Sequence, residues 1–339
     1  MKHYFFINPM AGKGKMGDVV KSNIRNTMKT IGDEYEIFTT DAKGSAIKKA
    51  RELAEALNGE EARFYAAGGD GTMNEIVNGV YGYPNIAVGS IPIGTGNDII
   101  RNFPSDCAFS DIGAQVNGEI QPIDLIEYKG TIDGSEETGY CVNMINIGFD
   151  CNVVEMTGRL KEKPLIAGSF AYLLSVFIKF VKRDGTSLII TDNMGEGLTS
   201  REMVKEGEML LCAVCNGSYC GGGIKSAPMA IMDDGFFELN MINQVSRGQF
   251  LKLFPSFKKG EHMDIPEVKD IITVRKCKDA TIEPYDKFEF FICVDGEIKT
   301  TTGIRVRIKK GALNFIVPER KSHIETKMKE VMSNPRYKM

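Results

Sequence analysis

The chain has 339 residues, more than one ordinary hydrophobic core holds, so two domains are expected. Apolar residues make up 42% and charged residues 26%, the balance of a folded globular protein rather than a disordered one. A formal charge of -3 gives no global sign of the cationic footprint that a nucleic-acid backbone demands, so no nucleic-acid partner is expected.

The first predicted element is a strand over residues 3–8. No basic segment, apolar stretch and small-residue cleavage site stand in order there, so no secretory signal is expected and the cytoplasm is the expected compartment. The eight cysteines then read as reduced thiols. The strand runs into Asn8-Pro9-Met10-Ala11-Gly12-Lys13-Gly14-Lys15, a turn in which glycines admit phosphate oxygens close to the backbone before a helix near 17–30. Gly12, Gly14 and Gly17 also satisfy a dinucleotide fingerprint, with Glu36 or Asp41 about 20 residues on, so a dinucleotide-dependent oxidoreductase is the rival reading. A P-loop is excluded, because no Lys-Ser/Thr closes a G-x-x-x-x-G spacing.

A strand over 35–39 and a helix near 44–57 follow. Ala46, Ala50, Leu53, Ala54 and Leu57 recur at helical spacing opposite Lys48, Lys49, Glu52 and Glu55. A strand over 62–67 ends in Gly68-Gly69-Asp70-Gly71-Thr72-Met73-Asn74-Glu75, ahead of a helix over 72–80. One carboxylate with glycines clearing space around it suits a Mg²⁺-bound phosphate; the plainer reading is a strand-to-helix turn capped by Asp70 or Thr72. A strand over 86–91 then opens Pro92-Ile93-Gly94-Thr95-Gly96-Asn97-Asp98, whose plainer reading is also a capped turn. The alternation implies right-handed crossovers and a mostly parallel sheet, whose carboxyl edge would gather the three turns in one crevice.

Past Pro122-Ile-Asp-Leu-Ile the pattern turns to short strands at 140–147, 187–191, 208–215, 236–242, 271–275, 280–283, 288–294 and 304–308. The fold class expected is α/β plus all-β. The expected division is an α/β domain over 1–125, a β-rich domain over 126–313, and a tail over 314–339 with a strand at 314–318 and a helix at 324–332, returning to the first domain. Residues 164–181 form an apolar, helix-like stretch that is too interrupted to span a bilayer; it is read either as core or as a helix that lies at a lipid interface or binds acyl chains. Cys212-x-x-Cys215 sits in a strand pattern, where residues three apart face opposite ways, so core packing is favoured over metal binding. Asp233-Asp234-Gly235 and Val294-Asp295-Gly296-Glu297 read as tight turns that could also carry chemistry.

Asn-Pro-x-Ala-Gly-Lys at 8–13, Gly-Gly-Asp-Gly-Thr-x-Asn-Glu at 68–75 and Pro-x-Gly-Thr-x-Asn-Asp at 92–98 resemble the three signatures of the diacylglycerol kinase catalytic domain family, which includes bacterial lipid kinases and sphingosine kinases. The similarity continues at 219–228, at Asp233-Asp234-Gly235 and at Val294-Asp295-Gly296-Glu297. It implies a nucleotide-binding parallel-sheet domain and a second β-sandwich domain, as in NAD kinases and diacylglycerol kinases, with ATP between them. By that resemblance Asn8, Pro9, Met10, Ala11, Gly12, Thr40, Gly68, Gly69, Asp70, Gly71, Thr72, Asn74 and Thr95 line the nucleotide. Asp70 sits by the Mg²⁺-phosphate and Glu297 is the base, with both regarded as catalytic; Asp234, with the carbonyls of Ile231 and Phe236, forms a structural Mg²⁺ site. The implied cofactors are ATP and Mg²⁺. The implied partner is a lipid alcohol at a membrane surface, diacylglycerol first, visited peripherally during turnover. A NAD kinase-like activity is a further alternative, and a homodimer is left open.

Overall fold

A computed structural model describes residues 1–14, 16–148, 186–193, 203–286 and 288–318. The expected helices over 164–181 and 324–332 lie outside the described residues. In the first half, β1 (Lys2–Ile7), α1 (Gly17–Ile31), β2 (Glu34–Thr39), α2 (Ser45–Ala56), β3 (Ala62–Gly68), α3 (Asp70–Val80) and β4 (Ile86–Pro92) alternate as the periodicity requires. The strands pair in parallel in the order β2, β1, β3, β4. Alternate side chains enter opposite layers. Tyr4, Phe6 and Phe64 meet α2 and α3, whereas Phe5, Ile7 and Tyr65 meet α1 and the short α4 (Ile112–Val116). All six side chains are buried, each contributing about 1.5–3 kcal/mol of hydrophobic stabilisation.

The second half is antiparallel. Its strands are β5 (Glu119–Ile132), β6 (Ser135–Cys141), β7 (Met144–Gly148), β8 (Thr186–Asn193), β9 (Met203–Cys215), β10 (Phe237–Asn243), β11 (Ile272–Cys277), β12 (Asp279–Pro284), β13 (Phe290–Val294) and β14 (Glu297–Val317). Two long strands switch layers and close the sandwich. β9 pairs β8 through its first part and β7 through its last. β14 pairs β13 through residues 297–301 and β12 through residues 304–307. A second core, including Ile147, Ile190, Leu239, Ile292 and Val306, fills the space between. Cys212 belongs to that core, while Cys215 faces a small cluster with Met144 and Cys220.

The halves share backbone. β5 runs through residue 125 without a break and pairs β14 from Val317 back to Thr301. Asn314 and Phe315 of β14 lie parallel to Ala87 and Val88 of β4. The predicted strands at 304–308 and 314–318 are therefore one strand, in which a register shift between Lys309 and Leu313 takes up the irregularity at Gly311 (φ 59°). The pattern also missed α5 (Arg247–Lys259), which has Pro255 inside it but opens with a Ser246–Gln249 capping box. Among the described residues no helix is long and apolar enough to cross a membrane.

Candidate active site

The three glycine-rich turns do meet at one sheet edge. Asn8 N donates to Ala67 O at 3.0 Å, fixing the first turn to the end of β3, and Asn8 Nδ2 donates to Thr72 Oγ1 at 3.3 Å. Gly68 O accepts from both Ile93 N (3.0 Å) and Gly94 N (2.9 Å), so the second turn holds the third. The glycines are demanded by contact. A Cβ at Gly94 would lie 2.5 Å from Gly69 Cα, and one at Gly68 would lie 2.2 Å from Thr72 Oγ1.

Against these turns stands the β13–β14 hairpin. Asp295 and Gly296 adopt φ 46° and 90°, the two positive values of a tight two-residue turn. The Asp295 carboxylate is buried and accepts from Val142 N (2.8 Å), Asn143 N (2.9 Å), Met144 N (3.1 Å) and Asn74 Nδ2 (2.8 Å). It thus ties α3 of the first half to the β6–β7 corner of the second. Asn78 strengthens the joint by donating to Tyr140 O at 2.8 Å and accepting from Tyr140 N at 2.9 Å.

The result is a cleft of about 1010 Å³ between the halves. Asn8, Pro9, Met10, Ala11, Gly12, Thr40, Gly69, Asp70, Gly71, Thr72, Thr95 and Glu297 all line it. Gly68 and Asn74 stand behind that lining, Gly68 as the acceptor for the third turn and Asn74 as the link to Asp295 and Tyr140. Sequence reasoning gave no site role to Lys43, Glu75, Asn143 or the Gly221–Gly222 loop, which line the cleft too. Glu75 closes the Gly-Gly-Asp-Gly-Thr-x-Asn-Glu motif; Lys43 and Asn143 carry no local signal. The three glycines of the dinucleotide fingerprint do not open a single helix: Ala11–Gly14 is a separate 3-10 turn and α1 starts only at Gly17.

Two carboxylates converge at the floor. Asp70 Oδ1 accepts from Asp98 N (2.8 Å) and Ile99 N (3.3 Å), and Asp98 Oδ2 accepts from Gly222 N (2.9 Å). A Cβ at Gly96 would stand 2.7 Å from Asp70 Oδ2 and 3.7 Å from Asp98 Oδ2, so both acids face the same small space. Asp98 Oδ1 is buried and accepts no hydrogen bond, with Arg101 Nε 3.4 Å away. Burial, followed by the charge of Asp98, pushes the Asp70 carboxyl up to about 6; burial also raises Asp98. This donor set fits a divalent cation, which takes carboxylate oxygens and removes their mutual repulsion.

A carboxyl whose folded value lies above its unfolded one lends stability fully below about pH 4, and that contribution is lost as pH rises through about 6. Asp70→Asn keeps an acceptor for Asp98 N and carries no charge. It is expected to raise the melting temperature of metal-free protein by a few degrees at pH 7.5, from about 1–3 kcal/mol, and by roughly a third as much at pH 4.5, where the folded carboxyl is protonated but the unfolded one is already largely ionised. Thermal scans at both pH values check this; a lower melting temperature at pH 7.5 would contradict it.

A second acidic group lies in the sandwich half. Asp234 Oδ1 accepts from Phe236 N at 3.0 Å and its Oδ2 pairs with Lys276 Nζ at 2.5 Å. Asp124 is fully buried and accepts from Gly311 N and Gly235 N, both at 2.7 Å. Burial, then the charges of Asp124 and Asp234, push Asp233 up to about 6. Among the described residues no group of three or more His, Cys, Asp or Glu forms a metal cluster. The Lys276 ammonium lies against one oxygen of Asp234 and balances its charge.

Residues 2–128 match the sequence profile of the diacylglycerol kinase catalytic domain, and residues 143–317 match that of the YegS C-terminal NAD kinase beta sandwich-like domain. Together the two matches take in most of the chain and make it a kinase by family, that is, a phosphotransferase. The chain belongs to the diacylglycerol kinase catalytic domain family. It is similar to a diacylglycerol kinase of Staphylococcus saprophyticus, 27% identical over 294 residues and covering 86% of this chain and 87% of the relative. A diacylglycerol kinase of Staphylococcus epidermidis is 29% identical over 296 residues, covering 86% and 84%. The fold of this chain is shared by a crystal structure of a diacylglycerol kinase from Bacillus anthracis, with a TM-score of 0.63, 20% identity, and coverage of 93% of this chain and 96% of that one.

Proposed function

We propose that this kinase uses ATP and Mg²⁺ to phosphorylate the hydroxyl of a lipid, diacylglycerol first among them, giving phosphatidic acid at a membrane surface. The observation that carries the reading is the meeting of Asp70, Asp98, the three glycine turns and Glu297 around one cleft. Phosphoryl transfer asks a protein chiefly to position its reactants and to neutralise charge on the moving group. The turn at Asn8–Gly12, Thr40, the Gly69–Thr72 backbone at the start of α3 and Thr95 would hold the phosphates, helped by the positive end of the helix. Asp70 and Asp98 would hold the cation, which when bound supplies positive charge to the phosphate oxygens. Glu297 Oε1 would take the proton of the acceptor hydroxyl. A methyl group at Gly71 would come 3.5 Å from that oxygen, in the space such an acceptor must use.

The cation role of Asp234 with Ile231 and Phe236 enters as a structural proposal only. It requires Lys276 to withdraw from the carboxylate. Asp233 Oδ1, buried and accepting no hydrogen bond, is the feature in its favour.

The test is transfer of label from γ-labelled ATP into an organic-soluble product, with mixed micelles of diacylglycerol and, in parallel, a total lipid extract. Labelled phosphatidic acid is the expected product. Label that never enters the organic phase, together with tight binding of NADH and indifference to Mg·ATP, would overturn the reading in favour of a dinucleotide enzyme.

A further inference from the structure

The loop between β2 and α2 carries a lysine that reaches across the cleft. Lys43 Nζ lies 3.1 Å from Glu297 Oε2, although Lys43 is 70% exposed and belongs to the opposite half from Glu297. A long side chain on a surface loop loses rotamer freedom when held in one geometry, so such a pair forms usefully only if the loop itself is fixed. Here it is fixed from both ends. Thr40 N donates to Ile7 O at 3.0 Å on one side. On the other, the Glu75 carboxylate accepts from Gly44 N at 2.9 Å and from Ala46 N at 3.1 Å, and Gly44 takes φ 80° to make the turn. Glu75 sits on α3, one helical turn beyond Gly71. The helix that opens on Asp70 therefore also braces the loop that bears Lys43.

Lys43 is the one cation among the described residues that line the cleft, against Asp41, Asp70, Glu75, Asp98, Asp295 and Glu297. We infer that Lys43 is a positioning residue for Glu297, with Glu75 fixing the loop that carries it. The ammonium holds Oε2 and leaves Oε1 turned toward Gly71 and the cleft floor. The inference rests on the proposed role of Glu297 as proton acceptor. A misdirected carboxylate slows the chemical step while the phosphates remain held by the glycine turns, so the loss belongs in kcat rather than in KM for ATP.

The experiment measures kcat and KM for Mg·ATP in the lipid phosphorylation assay for wild type, Lys43→Met, Lys43→Arg, Glu75→Gln, Glu297→Gln and the double variant Lys43→Met/Glu297→Gln. Lys43→Met is expected to lower kcat about tenfold, with KM within about twofold. Lys43→Arg restores kcat to within about threefold of wild type, because the charge is kept though its shape differs. Glu75→Gln keeps one of its two acceptors and falls between. The double variant is as slow as Glu297→Gln alone, because both changes act through one carboxylate. Unaltered kcat in Lys43→Met beside an inactive Glu297→Gln would overturn the inference and leave the proton acceptor standing. So would a loss confined to KM for ATP, or penalties that multiply in the double variant, either of which would make Lys43 a phosphate ligand. Full activity in Glu297→Gln would remove the proton acceptor itself, and the inference with it.

Discussion

Glu297→Gln is expected to lower kcat by about 10²–10⁴-fold, the range over which a positioned proton acceptor contributes. The melting temperature should stay within about 1 °C. Glu297 keeps 24% of its side chain exposed at the cleft, and its ion pair is with an exposed lysine, so folding gains little from it. Steady-state kinetics and a thermal scan on the same preparation separate the two effects. An active variant would refute the role; an inactive variant with a collapsed melting transition would show Glu297 to be structural instead.

The opposite signature is expected two residues earlier. Asp295→Ala would leave the amides of Val142, Asn143 and Met144 without their acceptor inside the joint between the halves. Each buried donor left unmade costs about 1–3 kcal/mol, so the total is at least about 3 kcal/mol and the melting temperature falls by roughly 10 °C. Asp295→Asn separates the loss of an acceptor from a change in the turn. Asparagine tolerates the φ of 46° at this position, so the backbone gives no reason for loss. Its Nδ2 would replace one carboxylate oxygen by a donor, facing amides that also donate. Substantial destabilisation by asparagine therefore reports acceptor count and not turn geometry. Near-wild-type stability of Asp295→Asn would show that the carboxylate is not the tie between α3 and the sandwich.

The contrast between Glu297 and Asp295 marks where sequence reading stops. Both stand in one four-residue turn, and the spacing Val-Asp-Gly-Glu identifies that turn. It says nothing of which acid is buried, because the partners of Asp295 come from residues 142–144, about 150 positions earlier. The three glycine turns were legible for a different reason. Each follows an apolar strand, and the steric demands at Gly68 and Gly94 are met by glycine at those positions in the chain itself. Strands β1 to β4 and helices α1 to α3 were likewise legible, since alternation of period 2 and period 3.6 reflects burial on one sheet.

Elements that depend on distant pairing were not legible. β5 has Pro122 inside it, which argues against a strand locally, yet the residue lies opposite Asn314 in a 14-residue strand paired with β14. Lys43 looked like any loop lysine; only the bracing of residues 44 and 46 by Glu75 places its ammonium beside Glu297. The Lys276 ammonium against Asp234 carries no local signal either, because it comes from β11, 42 residues later in the chain.

The proposed activity requires a triphosphate to lodge in the cleft between the halves, with its phosphates on the three glycine turns. Hydrogen exchange of the protein with and without a non-hydrolysable Mg·ATP analogue measures this most directly, because each turn is read separately by its own peptides. Slowed exchange at residues 8–14, 68–75 and 92–98 together, weakened by Asp70→Asn, is the predicted result. Protection confined to residues 8–17, or no change at any of the three turns at saturating nucleotide, would contradict it.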